Sequence, residues 1–374
     1  MRILITRSNP ISPDPRVEKT GRALIAAGHT VRALGWDRIG ILPATETRQG
    51  VPVTRLPIRA EFGKGMGNLP QLLRWQWGLW RWLIQHRGEF DLIHACDFDT
   101  ILPALWLKMF YGKCVVYDIF DFYADHLRAT PAAFKQIIRK VDLWAIGRVD
   151  ALILVDEARI PQVTGSRPRS LTIIYNSPED VSRNLPAPEK SVEGGFRLAY
   201  IGLLQVERGL LEMLTVLRSH PGWGLDLAGF GGDEAAILSA ADGMHNVRWH
   251  GRVSYERAVQ LSADADVLFA TYDPSIPNHR YSSPNKVFEA MMLGKPVIVA
   301  AGTNMDHIIA EADCGCIVPY GDVPSLESTL VILASDPELV RKLGHNARQA
   351  YETHYAWSIM SQRLASLYEK VLQQ

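Results

Sequence analysis

At 374 residues the chain is longer than one domain of ordinary size, so two domains are the natural expectation. Hydrophobic residues make up 47% and charged residues 21%, which is typical of a globular protein and excludes a disordered one. Lysine plus arginine and aspartate plus glutamate both number 40, so no basic excess indicates nucleic-acid binding. Four cysteines are too few for a disulfide framework, and no run of about 20 apolar residues predicts a membrane span.

The first half of the chain alternates strands and helices. Residues 1–6 predict a strand rather than a signal peptide, which gives an expected cytoplasmic location. A loop rich in proline and serine follows, and residues 17–30 predict a helix. Further strands are predicted by "VRALGW", "FDLIHAC", "KCVVYDI", "DALILVD" and "SLTIIYN". This opening is typical of a doubly wound sheet, whose ligands bind at the carboxyl ends of the strands.

The same alternation restarts after a polar stretch. Residues 179–195 contain prolines, charged residues and a double glycine, and they predict a linker. We therefore predict one domain at 1–178, a second at 196–352 and a C-terminal helix at 353–374 that packs back toward the first domain. The predicted fold class is α/β, with two Rossmann-like domains in tandem that face each other across a cleft.

The stretch "YSSPNKVFEAMMLGKPVIVA", residues 281–300, predicts a helix, a tight turn and a buried strand. Ser283 is a good N-cap and Pro284 suits the first helical position. Lys286 then puts a cation at the positive end of the helix, which costs about 0.3–1 kcal/mol unless a phosphate binds there. Glu289 shares the face of the lysine, and it is either its salt-bridge partner or an acceptor for ribose hydroxyls.

Several segments resemble, in order, those of GT-B-fold retaining glycosyltransferases of family 4. Among them are "SPDPRVEKTGRALIAAGHTV", "FDLIHACDFDTILPAL", "KCVVYDIFDFY", "LAYIGLLQVERGLLEML", "LDLAGFGGDE" and "SSPNKVFEAMMLGKPVIVA". Each motif alone is loose, but their order and spacing span nearly the whole chain. The resemblance implies transfer of a sugar from a UDP or GDP sugar to an acceptor hydroxyl with retention of configuration. It also implies a lipid-linked or polysaccharide acceptor, and neither a metal nor another cofactor.

The resemblance places the donor in the second domain. Glu289 matches the second of two family glutamates, the one that binds ribose, whereas Tyr281 stands at the first. Arg208 matches a site usually held by lysine, and Leu203 stands at the family's upstream arginine. We therefore predict that Lys286 takes over part of the phosphate charge. The other residues predicted to bind the donor are Gly229, Gly231, Arg252, Val253, Ser283, Pro284 and Asn285.

Catalysis on this scheme stabilises the charge that grows on the departing diphosphate, with Arg208 and Lys286 as the fixed cations. Phe120 stands where the family often has a histidine, so Asp121 is predicted as the polar partner of the reacting sugar or acceptor hydroxyl. The alternative for Asp121 is a helix cap. The residues predicted to bind substrate in the first domain are Asp14, Arg16 and Asp118, and the alternative for Arg16 is a pair with Glu18.

Four tryptophans, Trp75, Trp77, Trp80 and Trp82, occur within residues 69–90, a stretch interpreted as a helix. They fall on two sides of the helix, with arginines between them, where an ordinary amphipathic helix would have one polar side. Tryptophan with arginine suits the membrane–water interface, which makes peripheral association with the inner face of the cell membrane one interpretation. Burial in the domain or in a dimer contact is the other.

Two other functions fit the same architecture. A non-hydrolysing sugar-nucleotide epimerase would release an isomeric sugar nucleotide without an acceptor. A catalytically silent subunit would bind the nucleotide sugar without turnover, and the replacements at Tyr281 and Phe120 favour this alternative. An oxidoreductase is less consistent with the sequence, because no G-x-G-x-x-G follows the first strand.

Overall fold

The structure is a computed structural model, and it describes residues 1–61, 68–127, 130–186 and 195–373. The chain divides into two compact units. The first consists of Met1–Tyr175 together with Met360–Gln374, and the second is Asn176–Ile359. Residues 187–194 of the predicted linker at 179–195 lie outside the described residues.

A mostly parallel sheet forms the centre of the first unit. Its strands are β1 (Arg2–Thr6), β2 (Thr30–Asp37), β3 (Thr45–Arg48), β4 (Val51–Pro57), β5 (Leu92–Cys96), β6 (Cys114–Ile119), β7 (Ala151–Leu154) and β8 (Leu171–Ile173). The spatial order is β3-β4-β2-β1-β5-β6-β7-β8, and only the edge strand β3 is antiparallel to its neighbour. The strand order reverses between β1 and β5, so a ligand site is expected at their carboxyl ends.

Helices cover this sheet because their apolar faces bury against it. They are α1 (Pro15–Ala26), α2 (Leu69–Gln85), α3 (Phe98–Tyr111), α4 (Tyr123–His126) and α5 (Ala132–Ile146), and a 3-10 segment spans Glu157–Val163. Helix α1 begins at Pro15 because the Asp14 carboxylate accepts the Val17 N–H at 3.1 Å. Helix α2 buries Trp75, whose ring stacks on Trp36 at 5.1 Å between centroids.

The second unit is built on a fully parallel sheet. Its strands are β9 (Arg197–Leu203), β10 (Gly224–Phe230), β11 (Val247–Trp249), β12 (Val267–Ala270), β13 (Val297–Ala300) and β14 (Gly315–Val318). The spatial order is β11-β10-β9-β12-β13-β14. All strands are parallel, and the order in which the chain adds them reverses between β9 and β12. The prediction of two Rossmann-like α/β domains is therefore confirmed.

The helices of the second unit follow its strands in alternation. They are α6 (Leu210–Ser219), α7 (Glu234–Ala240), α8 (Tyr255–Asp264), α9 (Pro277–Arg280), α10 (Asn285–Leu293), α11 (Asn304–Ala312), α12 (Val323–Ser335) and α13 (Pro337–Ala350), with short turns at Ser182–Asn184, Val206–Arg208 and Tyr351–Tyr355. The prediction of Ser283 as N-cap is wrong by one residue. Pro284 is the N-cap in extended conformation, so Lys286 is the second helical residue.

The final helix, α14 (Trp357–Leu372), carries the chain back into the first unit. The Tyr368 hydroxyl and His94 Nδ1 form a hydrogen bond of 2.6 Å, and both side chains are buried. The Met360 sulfur accepts the Tyr175 N–H at 3.3 Å, and Arg363 Nη1 donates to the Ile173 carbonyl at 3.3 Å. The predicted C-terminal helix is therefore an integral part of the first unit from Met360 onward.

Candidate active site

A buried ammonium group lies where the second sheet reverses its strand order. Lys286 Nζ lies 3.6 Å from the centroid of the Tyr200 ring and 5.6 Å from that of Tyr272. The Nζ atom is buried and has no hydrogen-bond partner. A Cβ atom at Gly202 would lie 2.9 Å from it, so a side chain at this position of β9 would displace the ammonium. Burial, together with the charge of Arg208, holds the pKa of Lys286 well below its usual value.

Arg208 is the second cation at this point. It follows β9 in the short turn Val206–Arg208, and its Nη1 donates to the Tyr272 hydroxyl at 2.7 Å. Its guanidinium lies 4.4 Å from the centroid of the Tyr272 ring, and its Nε donates to Gln205 Oε1 at 2.9 Å. Arg208 and Lys286 thus share one aromatic wall, and the residues predicted as paired cations lie together at the carboxyl end of β9.

Glu289 lies one turn after Lys286 on α10, and its partner is a tyrosine. The Tyr255 hydroxyl hydrogen-bonds to Glu289, and burial with this carboxylate raises the pKa of Tyr255. Lys286 makes no hydrogen bond to Glu289, although the carboxylate charge acts on the pKa of the ammonium. Of the two alternatives for Glu289, the hydrogen-bonded salt bridge with Lys286 is therefore absent, and its role toward ribose stays a prediction.

The start of α10 carries a second unsatisfied polar atom. Asn285 Oδ1 is buried without a hydrogen-bond partner, and the N-cap residue Pro284 provides no side-chain cap. A buried polar atom without a partner costs about 1–3 kcal/mol, and a charged one costs more. An unpaired acceptor at Asn285 and an unpaired donor at Lys286 are typical of a site that binds a polar ligand. The prediction that Ser283, Pro284 and Asn285 contact the donor remains a prediction.

The glycines at the carboxyl end of β10 have a structural explanation. A Cβ at Gly229 would lie 1.7 Å from the Gly202 carbonyl oxygen, and one at Gly231 would lie 2.4 Å from that of Leu204. Both glycines are thus required by the close approach of β10 to β9, whatever they bind. Arg252, predicted to lie near the base, is exposed, and its guanidinium lies 4.6 Å from the centroid of the Phe230 ring. Val253 beside it is partly buried.

In the first unit, Asp14 is occupied by protein contacts. Its Oδ2 accepts from Arg7 Nε at 3.1 Å and from Asn9 Nδ2 at 2.7 Å, while its Oδ1 caps α1 through Val17. The side chain is buried. These bonds explain why an aspartate is needed there, and they favour a structural role over the predicted substrate contact.

Arg16 and Asp118 form a buried ion pair with each other. Arg16 Nη2 donates to Asp118 Oδ1 at 2.8 Å, and Arg16 Nε donates to Asp118 Oδ2 at 3.2 Å. The alternative pair of Arg16 with Glu18 is therefore wrong. Burial raises the pKa of Asp118, but the attraction of Arg16 and the hydrogen bond from His94 outweigh it and hold that pKa at about 2. The geometry gives both residues a positioning role, and direct substrate contact stays a prediction.

Phe120, at the position of the family histidine, lies between two guanidinium groups. Arg7 lies 4.0 Å and Arg16 4.8 Å from the centroid of its ring. The Phe120 N–H donates to Asp97 Oδ1 at 2.8 Å, and Asp97 also pairs with Arg7. Asp97 adopts φ 61° and ψ 169°, a region that is otherwise nearly restricted to glycine and costs about 1–3 kcal/mol. Such strain is typical of functional sites.

Asp121 follows Phe120 and pairs with a buried arginine. Arg159 Nη2 donates to Asp121 Oδ1 at 2.5 Å, and the Asp121 side chain is 35% exposed. The N-cap of the adjacent helix α4 is Phe122 rather than Asp121. The predicted catalytic role of Asp121 stays a prediction, and its carboxylate is positioned by Arg159.

Sequence reasoning missed several residues that the structure brings to these two sites. Tyr200 and Tyr272 line the ammonium of Lys286, and Arg7 joins Asp14 to Asp97. Their position in the sequence was the available signal, because Arg7 comes directly after the buried strand β1 and Tyr272 comes two residues after the end of the buried strand β12.

The aspartates at 97–99 do not form part of a metal cluster. Within residues 1–61, 68–127, 130–186 and 195–373, no group of three or more His, Cys, Asp or Glu side chains could hold a metal ion. Asp99 accepts instead from Ser8 Oγ at 2.9 Å, and burial raises its pKa to about 6. Cys314 is buried, and Cys316 is partly buried.

The four tryptophans of α2 divide between core and surface. Trp75 is fully buried, and its Nε1 donates to the Asp99 carbonyl at 3.1 Å, so a membrane role for Trp75 is wrong. Trp77 is 61% exposed, whereas Trp80 and Trp82 are partly buried. No helix in the described part of the chain has both the length and the apolar character to span a bilayer.

Solved structures share this two-domain architecture over the full chain. The sucrose-phosphate synthase from Thermosynechococcus elongatus has a TM-score of 0.80 at 17% identity, with 100% of both chains covered. Anabaena Alr3699/HepE in complex with UDP and glucose has a TM-score of 0.72 at 16% identity, with 99% of both chains covered. These likenesses define the fold as GT-B.

Family comparisons identify the class of enzyme. Residues 13–176 match the Glycosyl transferase 4-like domain, and residues 196–336 match Glycosyl transferases group 1. A phosphatidyl-myo-inositol mannosyltransferase from Mycobacterium leprae (strain TN) is 23% identical over 299 residues, which is 78% of this chain and 76% of the relative. The chain is a glycosyltransferase that carries these two domains in tandem.

Proposed function

We propose that this glycosyltransferase moves a hexose, with mannose as the first candidate, from a UDP or GDP sugar to a hydroxyl of a lipid-linked acceptor with retention of configuration. The mannose and the lipid acceptor are supported by the relative from Mycobacterium leprae, which is named for phosphatidyl-myo-inositol. The nucleotide diphosphate is supported by the likeness to Alr3699/HepE, which was solved with UDP.

One observation carries the proposal: the buried, unpartnered ammonium of Lys286 beside Arg208 at the carboxyl end of β9. A diphosphate in this position would satisfy Lys286 Nζ and the helix end together, and it would remove the cost of both. During transfer, negative charge grows on the leaving diphosphate. Arg208 and, once donor binding has protonated it, Lys286 are held in place by the aromatic wall, so they can stabilise that charge without moving.

Retention follows if the acceptor attacks from the face that the diphosphate leaves. The C–O bond to the diphosphate breaks as the new C–O bond to the acceptor forms, and a donor phosphate oxygen accepts the acceptor proton. Phe120 stands at the position of the family histidine, and two guanidinium groups contact its ring. Because a phenylalanine side chain cannot accept a proton, no base is available at this position. In this scheme Glu289 holds the ribose, and the Phe230–Arg252 pair provides a surface for the base.

The first test measures donor binding by the wild type, by variants of Lys286 and Glu289, and by a control lysine variant. Thermal shift with GDP-mannose and UDP-glucose should stabilise the wild type, since a ligand that binds only the folded state raises its stability. Lys286→Met and Glu289→Gln should each weaken donor binding about tenfold to a hundredfold, the value of a hydrogen bond to a charged group. Lys295→Met is the control, because Lys295 is half-buried just beyond the other end of α10 and should leave binding unchanged.

Transfer is then measured with phosphatidylinositol vesicles and the donor that binds, and NMR of the product reports its anomeric configuration. An isomeric sugar nucleotide released without acceptor would replace the proposal with an epimerase. Tight donor binding with no turnover would indicate a silent subunit. Normal turnover by both Lys286→Met and Glu289→Gln would contradict the site itself.

A further inference from the structure

One face of the first domain presents a continuous row of aromatic rings. Trp77 stacks on Trp80 at 4.9 Å between centroids, Trp80 meets the edge of Trp106 at 5.2 Å, and Trp106 contacts Phe110 at 4.7 Å. These four residues, here called the aromatic row, connect α2 to α3. Its inner members Trp80 and Trp106 are partly buried, whereas its ends Trp77 and Phe110 are 61% and 58% exposed.

The aromatic row is held rigidly from below. The opposite side of α2 buries Trp75, Leu79 and Leu83 in the core of the domain. The exposed rings are therefore not a loosely attached loop but the outer surface of a packed helix pair. Large apolar side chains continue the surface on both helices, with Leu73 on α2 and Met109 on α3 each more than 60% exposed.

The exposed charged side chains on the two helices of the aromatic row are arginines, and the exposed Glu89 just beyond α2 pairs with Arg32. Arg74 and Arg81 are exposed on α2, and the exposed Arg87 beyond its end lies 5.3 Å from the centroid of the Tyr111 ring. Helix α2 contains no acidic residue. The one acid of α3, Asp99, is buried against Ser8. The surface formed by the two helices thus combines exposed aromatic rings with arginines and has no exposed carboxylate.

We infer that the aromatic row docks the first domain on an anionic membrane surface. Aromatic rings that are anchored at one end are stabilised at the membrane–water interface, and each nearby arginine is attracted to anionic headgroups. A protein partner would need acidic residues and a complementary shape, whereas an anionic bilayer needs only the exposed rings and the arginines. The inference deepens the proposed function, on which it rests for the lipid-linked acceptor but not for the docking itself.

The experiment is vesicle flotation of the full chain, with vesicles of phosphatidylcholine alone or mixed with phosphatidylglycerol. The wild type should float with the mixed vesicles, and high salt should weaken binding. The double variant Trp77→Ser/Phe110→Ser should bind about tenfold more weakly, because it removes the two exposed ring ends. Arg74→Glu/Arg81→Glu should abolish the preference for phosphatidylglycerol.

The matched controls lie in the second domain and replace the same residue types. Trp249→Ser and Arg257→Glu change an exposed tryptophan and an exposed arginine, and both should float like the wild type. Donor thermal shift of every variant should be unchanged, which separates this inference from the proposed function. Flotation that the Trp77→Ser/Phe110→Ser variant retains, or a wild type that never floats, would overturn the docking surface. A dimer that the same variant dissolves would assign the aromatic row to a second copy of the chain.

Discussion

At the scale of single residues, Lys286 occupies a position that disfavours its own charge. Three features act against the ammonium: burial, the neighbouring Arg208 and the positive end of α10. The Tyr200 ring offsets part of the free-energy cost of charging Lys286, since a desolvated cation–π contact contributes about 2 kcal/mol. The remaining penalty means that the folded, donor-free protein holds this lysine largely as a neutral amine over a range of pH in which a free lysine is charged.

The pH dependence of donor binding follows from this state. A diphosphate beside Lys286 would raise its pKa, so binding should take up a proton and affinity should fall as pH rises, by up to about tenfold per pH unit. The groups that face the ammonium are Arg208, Glu289, Tyr200 and Tyr272. Calorimetry of GDP-mannose or UDP-glucose in two buffers of different ionisation enthalpy measures the uptake, because the phosphates of a sugar nucleotide do not titrate near neutrality.

The control for this prediction is Lys286→Arg, which stays charged at every accessible pH. It should bind donor without proton uptake. The stability of the donor-free protein should change in the opposite direction. Between the depressed pKa of Lys286 and its ordinary value, the unfolded chain holds the extra proton, so the free energy of unfolding rises with pH. Equal binding enthalpies in the two buffers for the wild type at mildly alkaline pH would contradict the prediction.

At the scale of elements, the sequence predicted the central strands well because they are short apolar runs between turns. The run at residues 297–300 became β13 without a change of boundary. Helix α10 was predicted one residue early, because Ser283 and Pro284 are a good cap and first residue by type, while the chain before Asn285 remains extended.

The hairpin of β3 and β4 was missed for an identifiable reason. Its two-residue turn uses Gln49 and Gly50, both with positive φ, where an Asn-Gly pair would have been the recognisable signal. Pro52 inside β4 also argues against a strand by type, but it lies opposite the edge strand β3.

The residues of the candidate site also divide into those that the sequence identified and those that it could not assign. Arg208, Lys286 and Glu289 were identified from a family pattern and from a lysine at an unfavourable helix end, and the structure places the three side chains close to one another. Asp14, Arg16 and Asp118 could not be separated from structural ion pairs, because pairing partners distant in sequence are not visible in local patterns. Arg16 and Asp118 are 102 residues apart.

Helix α14 offers a prediction of stability. Tyr368→Phe removes the hydrogen bond to His94 and leaves a buried imidazole nitrogen without its partner, which should cost about 1–3 kcal/mol of unfolding free energy. Urea unfolding followed by tryptophan fluorescence reports on the first unit, since seven of the ten tryptophans precede residue 150. Tyr111→Phe, at an exposed site, should change stability by no more than about 0.5 kcal/mol. Equal stability of the two variants would contradict the structural role of this hydrogen bond.

At the scale of the whole molecule, the two units differ in how their chain segments are arranged. The second unit is one continuous segment, Asn176–Ile359, whereas the first needs residues from both ends of the chain. A fragment of residues 176–359 should therefore unfold in a single cooperative transition by itself. A fragment of residues 1–175 lacks α14, which leaves His94 and Tyr175 without their partners, and it should show no cooperative transition.

The comparison is made by thermal unfolding followed by circular dichroism. The control is residues 1–175 with residues 357–373 attached by a flexible Gly/Ser linker, which should recover a cooperative transition. A sharp transition in the unlinked fragment, at the temperature of the linked one, would show that α14 is dispensable.

The first unit needs residues from the C-terminal end of the chain, and this has a consequence for folding during synthesis. A ribosome releases residues in order, so the unit at 176–359 is complete while the earlier one still lacks its closing helix. Until Tyr368 emerges, the buried His94 lacks the hydrogen bond to the Tyr368 hydroxyl. Nascent chains interrupted before α14 would carry a complete second unit joined to an incomplete first unit, so both units are complete only in chains that include α14.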